Sequence, residues 1–181
     1  CSDDTIDQYE VLDLMTGLHQ KSLITFNEDI GNGRYGILES IKYYALEKLG
    51  ENKEDFQRHL DYFFNLSSYS KQSKNKIEQF QWLSLIEPEL DNIRSNIQWA
   101  SENKPEDAVK LVINTFDFWL NKGYFQEGFD TSIKVLELTD PKESKPKADL
   151  LYRIARFCYE LGKFNELEKF SGEALSLYRE I

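Results

Sequence analysis

The chain has 181 residues, of which 40% are hydrophobic and 14% aromatic, enough for a packed core and too many for a disordered segment. No apolar run approaches the roughly 18 residues of a membrane helix. The formal net charge is −10, whereas nucleic-acid binders usually present a basic face that neutralises phosphates. The only cysteines are Cys1 and Cys158, so we expect no disulfide framework and a cytoplasmic location.

The first fifty residues predict a helix, a two-stranded hairpin and a second helix. Apolar residues recur at helical spacing across residues 8–20. Short alternating runs around Phe26 and Tyr35 predict two antiparallel strands, and the Gly- and Asn-rich segment between them predicts the turn. A helix over residues 39–49 should end at Gly50, because glycine is common just after a helix end.

The remaining residues predict helices alone. Proline is tolerated in the first turn of a helix, so Pro88 and Pro105 should each open one. The polar segment 71–76 predicts a solvated turn. Two apolar helix faces come earlier in this part of the chain: Phe56, Leu60, Phe63 and Phe64 on one, and Ile77, Phe80, Leu83 and Ile86, with Trp82 beside them, on the other.

Two segments near the end of the chain resemble each other. Gly123 and Gly162 lie 39 residues apart, and each is followed two residues later by a phenylalanine, Phe125 or Phe164. Glycine permits a sharp turn between antiparallel helices, and we expect the aromatic ring to fill the gap between them. The second copy resembles a tetratricopeptide repeat at Leu151, Ile154, Ala155, Gly162, Phe164, Ala174 and Leu175. It departs from that pattern at Leu167 and Ser171, so an ordinary helical hairpin remains the alternative.

No residues form a catalytic or metal-binding pattern. His19 and His59 have no partner at metal-ligand spacing, and Cys158 lies within an apolar helical stripe that indicates a buried thiol. Gly162 and Lys163 lack the other residues of a phosphate loop. We therefore predict no catalytic residues, no metal site and no cofactor.

A helix followed by a hairpin is also the order of DNA-binding winged helices. Residues 1–50, however, contain nine acidic and four basic residues. Glu28 and Asp29 lie at the predicted hairpin tip, where a contact to phosphate would require Lys or Arg. We therefore expect that this chain binds no nucleic acid.

Two stretches, "VLDLMTGLHQKSLITF" and "RYGILESIKYYALEKLG", resemble the winged-helix segment that follows the nucleotide-binding domain in signal-transduction ATPases with numerous domains, a class that includes many bacterial transcriptional regulators. The matching positions are Leu14, Leu18, Lys21, Ser22, Leu23, Arg34, Tyr35, Leu38, Glu39, Tyr44, Ala45 and Leu49. Lys42 departs from the arginine usual there. Later helices match at Trp82, Leu83, Glu89, Asp91, Asn92, Ile93 and Trp99, so the resemblance covers nearly the whole chain.

The resemblance implies a mainly α fold, with a small winged-helix-like domain over residues 1–51 and an antiparallel tetratricopeptide-like helical array over residues 52–181. It implies a non-catalytic regulatory module of a bacterial signalling ATPase or transcriptional regulator. The first domain would contact a nucleotide-binding domain of the same chain, upstream of Cys1 and absent here, and the full-length protein would be an ATPase. We expect no tight ATP binding by this segment and no membrane contact.

In tetratricopeptide repeats the first helix of each pair lines the binding groove, so the resemblance also implies a surface for a protein or peptide partner, or a small-molecule inducer. The implied residues are Lys110, Ile113 and Asp117 on one helix and Asp149, Tyr152, Arg156 and Tyr159 on the other. The opening "CSDD" leaves an alternative, because bacterial lipoproteins begin with such a cysteine. On that alternative the protein is a lipid-anchored periplasmic tetratricopeptide scaffold.

Overall fold

The computed structural model describes residues 7–28, 33–50, 53–68, 76–139 and 144–181. The fold is mainly α with one small antiparallel hairpin, as predicted. Its contacts divide the chain into two compact units, Cys1–Arg58 and His59–Ile181. The sequence placed a domain boundary between residues 51 and 52, and that domain division stays a prediction. Cys1, Asp29 and most of the polar segment 71–76 lie outside the described residues.

The first unit contains the predicted helix, hairpin and helix. Helix α1 is Gln8–Gln20, strands β1 and β2 are Ile24–Asn27 and Arg34–Ile37, and helix α2 is Glu39–Leu49, which ends at Gly50. The strands pair with Phe26 opposite Tyr35, and the centroids of these two rings lie 4.8 Å apart. Gly33, with φ of 85°, lies against the Phe26 ring. The contact is so close that a Cβ atom at this position would lie 2.4 Å from the Phe26 Cζ, which only glycine avoids.

The second unit is an array of packed helices. Each of α5 to α8 packs against the next helix, and α5 also contacts α7 as α6 contacts α8. Alternate helices therefore lie side by side, as in two layers of antiparallel helices. The helices are α3 (Lys53–Ser68, whose first residues belong to the first unit), α4 (Lys76–Ile86), α5 (Leu90–Asn103), α6 (Pro105–Lys122), α7 (Phe125–Thr139), α8 (Ser144–Glu160) and α9 (Phe164–Glu180), with a 3-10 turn at Glu87–Glu89.

Both prolines and both repeat glycines act as predicted. Pro105 lies in the first turn of α6, and Pro88 lies in the 3-10 turn that leads into α5. Gly123 and Gly162 end α6 and α8 with φ of 77° and 69°, left-handed conformations that glycine adopts without strain. These glycines produce the two tight turns, α6 to α7 and α8 to α9.

Two predictions about core residues are wrong. Phe80 was placed on the buried face of α4 but is exposed, whereas Trp82 and Ile86 are fully buried. Apolar residues lie on all sides of α4, so their spacing does not show which side of the helix is buried. The buried side is the one that carries Trp82, whose indole Nε1 donates a hydrogen bond to the Leu66 carbonyl at 3.2 Å. Phe164 was expected to fill a gap between helices and is exposed instead.

Candidate functional site

Two of the three α6 residues of the predicted partner surface are accessible. Lys110 and Asp117 are half-buried at the surface of the helix, and the Lys110 Nζ lies 3.6 Å from an Asp107 carboxylate oxygen. Ile113 is only 7% exposed and belongs to the hydrophobic core. The prediction for Ile113 needs correction, because a side chain packed within the array presents almost no surface to a partner.

The α8 residues form an exposed aromatic and cationic stripe. Tyr152 and Tyr159 are exposed and lie at helical spacing on either side of Arg156. The Arg156 guanidinium lies 5.1 Å from the centroid of the Tyr159 ring and forms an ion pair with Glu160 at 2.7 Å. Tyrosine and arginine are both enriched at protein interfaces.

Asp149, at the start of this stripe, accepts a hydrogen bond that connects α8 with α9. The Tyr178 hydroxyl donates to its Oδ1 at 2.5 Å, and the Lys145 Nζ lies 3.6 Å from its Oδ2. Burial, followed by the bond to Asp149, raises the pKa of Tyr178 to about 12. Sequence reasoning missed Tyr178, although its helical spacing from Leu175 could have shown that both extend this surface onto α9.

An ion-pair cluster stabilises the arrangement of α5, α6 and α7. Arg94 on α5 donates to both carboxylate oxygens of Glu127 on α7, at 2.9 and 2.6 Å, and to Asp91 at 2.6 Å. The Trp119 Nε1 of α6 donates to the same Glu127 at 3.1 Å. Chiefly because of Glu127, the pKa of Arg94 is raised above its ordinary value. The cluster therefore links α5, α6 and α7.

Two cavities lined by described residues are too small or too open for a typical cofactor. Between α5 and α7 a cavity of about 130 Å³ is lined by Ser101, Thr131 and Lys134 among others, which is below the ~300 Å³ of common ligand sites. A groove of about 550 Å³ follows α1 past Asp13, Leu14 and Gly17. Because α1 alone lines its described part, it is a surface groove and not an enclosed pocket.

The first unit exposes an apolar surface. Among its described residues Ile24 is the one buried hydrophobic side chain. Exposed large side chains occur on both helices and the hairpin: Tyr9, Leu12, Leu14, Phe26, Tyr35, Ile37, Leu38, Tyr43, Tyr44 and Leu46. The exposed apolar side chains of this unit are therefore spread over both helices and the hairpin.

Of the residues considered for chemistry, His59 and Cys158 lie within the helical array, whereas His19 is exposed on α1. The His59 Nδ1 lies 3.1 Å from the Asn96 Oδ1, and its ring packs on Phe63. Cys158 is buried, as predicted, and burial raises the pKa of its thiol, which disfavours the reactive thiolate. Within the described residues, no three His, Cys, Asp or Glu side chains are grouped so that they could hold a metal ion.

The chain is similar to longer bacterial proteins. Over 135 residues, 73% of the chain, it is 32% identical to proteins named "Putative HTH-type transcriptional regulator" in Mycobacterium bovis and in two strains of Mycobacterium tuberculosis. The matched region covers 15% of the length of those relatives. No family model matches the chain, and no solved structure does. Of the helices in the described ranges, none has the length and apolarity needed to span a bilayer.

Proposed function

We propose that this chain is a non-catalytic regulatory and protein-interaction module of a bacterial signalling ATPase or transcriptional regulator, located in the cytoplasm. The observation that carries the proposal is the 32% identity over 135 residues to relatives named as HTH-type transcriptional regulators. The matched region is a small share of those relatives, so the module works as part of a longer chain. Neither a metal nor a nucleotide cofactor belongs to the module itself.

The first unit docks on a nucleotide-binding domain that lies outside this chain. Its exposed apolar side chains on α1, the hairpin and α2 support this role. Complete burial of one leucine-sized side chain contributes about 1.5–3 kcal/mol, so a partner that covered even three or four of them would gain enough to form a stable contact. Docking of this kind would hold the nucleotide-binding domain in one of its states.

The helical array supplies the second surface, which receives a protein or peptide partner or a small-molecule inducer. Its proposed contact residues are Lys110, Asp117, Asp149, Tyr152, Arg156 and Tyr159. Tyrosine and arginine dominate the binding energy of many interfaces because each offers a large area together with polar contacts. A small-molecule inducer would find little room in the cavity of about 130 Å³ between α5 and α7, which none of these contact residues lines.

Binding to the rest of a longer protein tests the docking role. The ligand is the Mycobacterium tuberculosis relative from which the matched residues have been deleted, and calorimetry measures its affinity for this chain. We expect micromolar binding that falls at least tenfold in the double variant Tyr43→Ser, Leu46→Ser, because two exposed apolar contacts on α2 are lost.

A matched double variant provides the control. Tyr62→Ser with Leu85→Ser changes the same residue types at exposed positions of α3 and α4 in the second unit, and it should leave the affinity unchanged. Equal losses in both double variants would contradict docking through the first unit. Micromolar binding of ATP to this chain alone would contradict the placement of the nucleotide site outside it.

A further inference from the structure

A surface groove of about 550 Å³ follows helix α1 in the first unit. We call it the α1 groove and define it by the described residues that line it: Glu10, Asp13, Leu14, Gly17, Leu18 and Lys21. These positions recur at helical spacing, so they share one side of the helix. The stripe from Glu10 to Lys21 is about 16 Å long at 1.5 Å per residue, which suits a contact between two helices.

Gly17 lies in the middle of the α1 groove and keeps it open. Apart from its chain neighbours and the backbone of its own helix, no described residue has an atom within 4 Å of a Cβ atom built at Gly17. Gly128 differs, because the Phe157 ring packs against it and leaves no room for a side chain. Packing inside the described part of the chain therefore does not require a glycine at position 17. A glycine there does let the backbone of a second helix approach α1 closely.

Two leucines form the apolar side of the α1 groove. Leu14 and Leu18 are 58% and 38% exposed, and their spacing of four positions places them side by side along α1. Apolar side chains at this spacing are the usual contact residues of an amphipathic helix that packs on another helix. They select an occupant that has leucine-sized side chains at the same spacing.

The charges at the two ends of the α1 groove are opposite. Glu10 and Asp13 lie in the first half of α1, whereas Lys21 follows its last residue. The Glu10 carboxylate accepts a hydrogen bond from the Asp7 backbone amide at 3.1 Å, and the Asp13 side chain is exposed. A helix that lies along the groove is therefore favoured when lysine or arginine faces the acidic end.

We propose that the α1 groove binds an amphipathic helix from another part of the longer protein, with leucine-class side chains against the two leucines and lysine or arginine against the two acids. The inference rests on the proposed function, because it names the kind of element with which the nucleotide-binding domain contacts the first unit. Apolar contact and charge pairing together specify this helix, and Gly17 allows its backbone to lie close to α1.

The area of the α1 groove indicates that its occupant belongs to the same longer chain. A contact about 16 Å long and one helix diameter wide, about 10 Å, buries on the order of 300 Å² per partner. This area is well below the ~800 Å² per partner of a stable complex between separate proteins. Within one chain a linker raises the effective concentration to about the millimolar range, so a weak contact is occupied. The matched region is 15% of the length of the relatives, which leaves ample chain to supply such a helix.

Nuclear magnetic resonance of the isotope-labelled chain tests the inference with two helical peptides of about 18 residues. The lysine peptide has leucines on one stripe, lysines beside them and alanine elsewhere, and the glutamate peptide has glutamate in place of lysine. We expect the lysine peptide to shift the amide signals of residues 10–21, with a dissociation constant of about 0.1–1 mM at about 150 mM salt. The glutamate peptide should bind at least fivefold more weakly, because its carboxylates face Glu10 and Asp13.

A matched pair of glycine variants separates binding in the α1 groove from general attraction of a cationic peptide to an acidic chain. Gly17→Gln and Gly172→Gln each place a long uncharged side chain on a helix, where nothing lies within 4 Å of an added Cβ atom. Glutamine favours the helix more than glycine does, so both variants should remain folded. Gly17→Gln should weaken binding of the lysine peptide at least fivefold, because its side chain occupies the groove, and Gly172→Gln should leave binding unchanged.

Equal binding of the lysine peptide by the two variants would overturn the inference. Equal affinity for the two peptides, or the absence of shifts at residues 10–21, would overturn it as well. The calorimetric assay of the docking role is independent of the peptides. Docking that is weakened by Tyr43→Ser, Leu46→Ser but not by Gly17→Gln would reject the α1 groove alone. Peptide binding at the α1 groove without docking of the relative would reject the docking role alone.

Discussion

At the scale of the residue, Gly128 leaves no room for a side chain, because an added Cβ atom would lie 2.3 Å from the Phe157 ring. The ring that it touches, Phe157, is fully buried between Phe116 and Trp119, whose ring centroids lie 5.0 and 6.4 Å away. We expect Gly128→Ala to lower the free energy of unfolding by about 1–3 kcal/mol, because the added methyl group displaces a ring that has nowhere to move. Urea denaturation measures the change.

Gly172 offers the matched control on α9. It also lies within a helix, but nothing lies within 4 Å of a Cβ atom added there. Gly172→Ala should therefore raise the free energy of unfolding by about 0.5–1 kcal/mol, because alanine loses less backbone entropy in a helix. If Gly128→Ala also stabilised the protein, the close contact with Phe157 would not exist in solution.

The Tyr178 hydroxyl should make stability depend on alkaline pH. Its pKa is raised from 10 to about 12 in the folded protein, so the folded state holds this proton more tightly than the unfolded state does. The stabilisation is complete below about pH 10 and is lost as the pH rises through 12. In a spectrophotometric titration at 295 nm, Tyr178→Phe should remove the tyrosine that ionises near pH 12; an unchanged high-pH portion of the curve would contradict the assignment.

At the scale of the element, the sequence was sufficient to predict helices that have one apolar stripe and a glycine at their carboxyl end. Helices α2 and α6 end at Gly50 and Gly123 as expected, and the hairpin pairs Phe26 with Tyr35. Helix α4 could not be predicted in the same detail. Its circumference is apolar on all sides, and burial of the Trp82 indole depends on a carbonyl of α3 that no local pattern reveals.

The candidate surface shows the same limit. Ile113 and Tyr152 occupy equivalent repeat positions, and the resemblance to tetratricopeptide repeats placed both on a groove. One is in the core and the other is exposed, because burial depends on which neighbouring helix covers each position. Sequence periodicity identifies the stripe of a helix, but only tertiary contacts determine whether that stripe meets another helix or remains accessible.

At the scale of the whole molecule, the charge of −10 decides the expected behaviour toward DNA. The relatives are named HTH-type, whereas in this chain the exposed positions of α1 include Glu10 and Asp13. Phosphate neutralisation supplies most non-specific affinity for a duplex. We therefore expect no retardation of a random DNA duplex by up to about 10 μM protein in an electrophoretic mobility shift assay at about 50 mM salt.

Charge reversal at Glu10 and Asp13 of α1 tests whether these acidic side chains cause the expected lack of DNA binding. The double variant Glu10→Lys, Asp13→Lys changes the formal charge by +4, from −10 to −6, and places two cations on one exposed stripe. Weak retardation that disappears at about 200 mM salt would then be expected, since each phosphate contact releases a counterion. Salt-sensitive retardation by the wild type itself would refute the view that this chain presents its first unit to protein and not to nucleic acid.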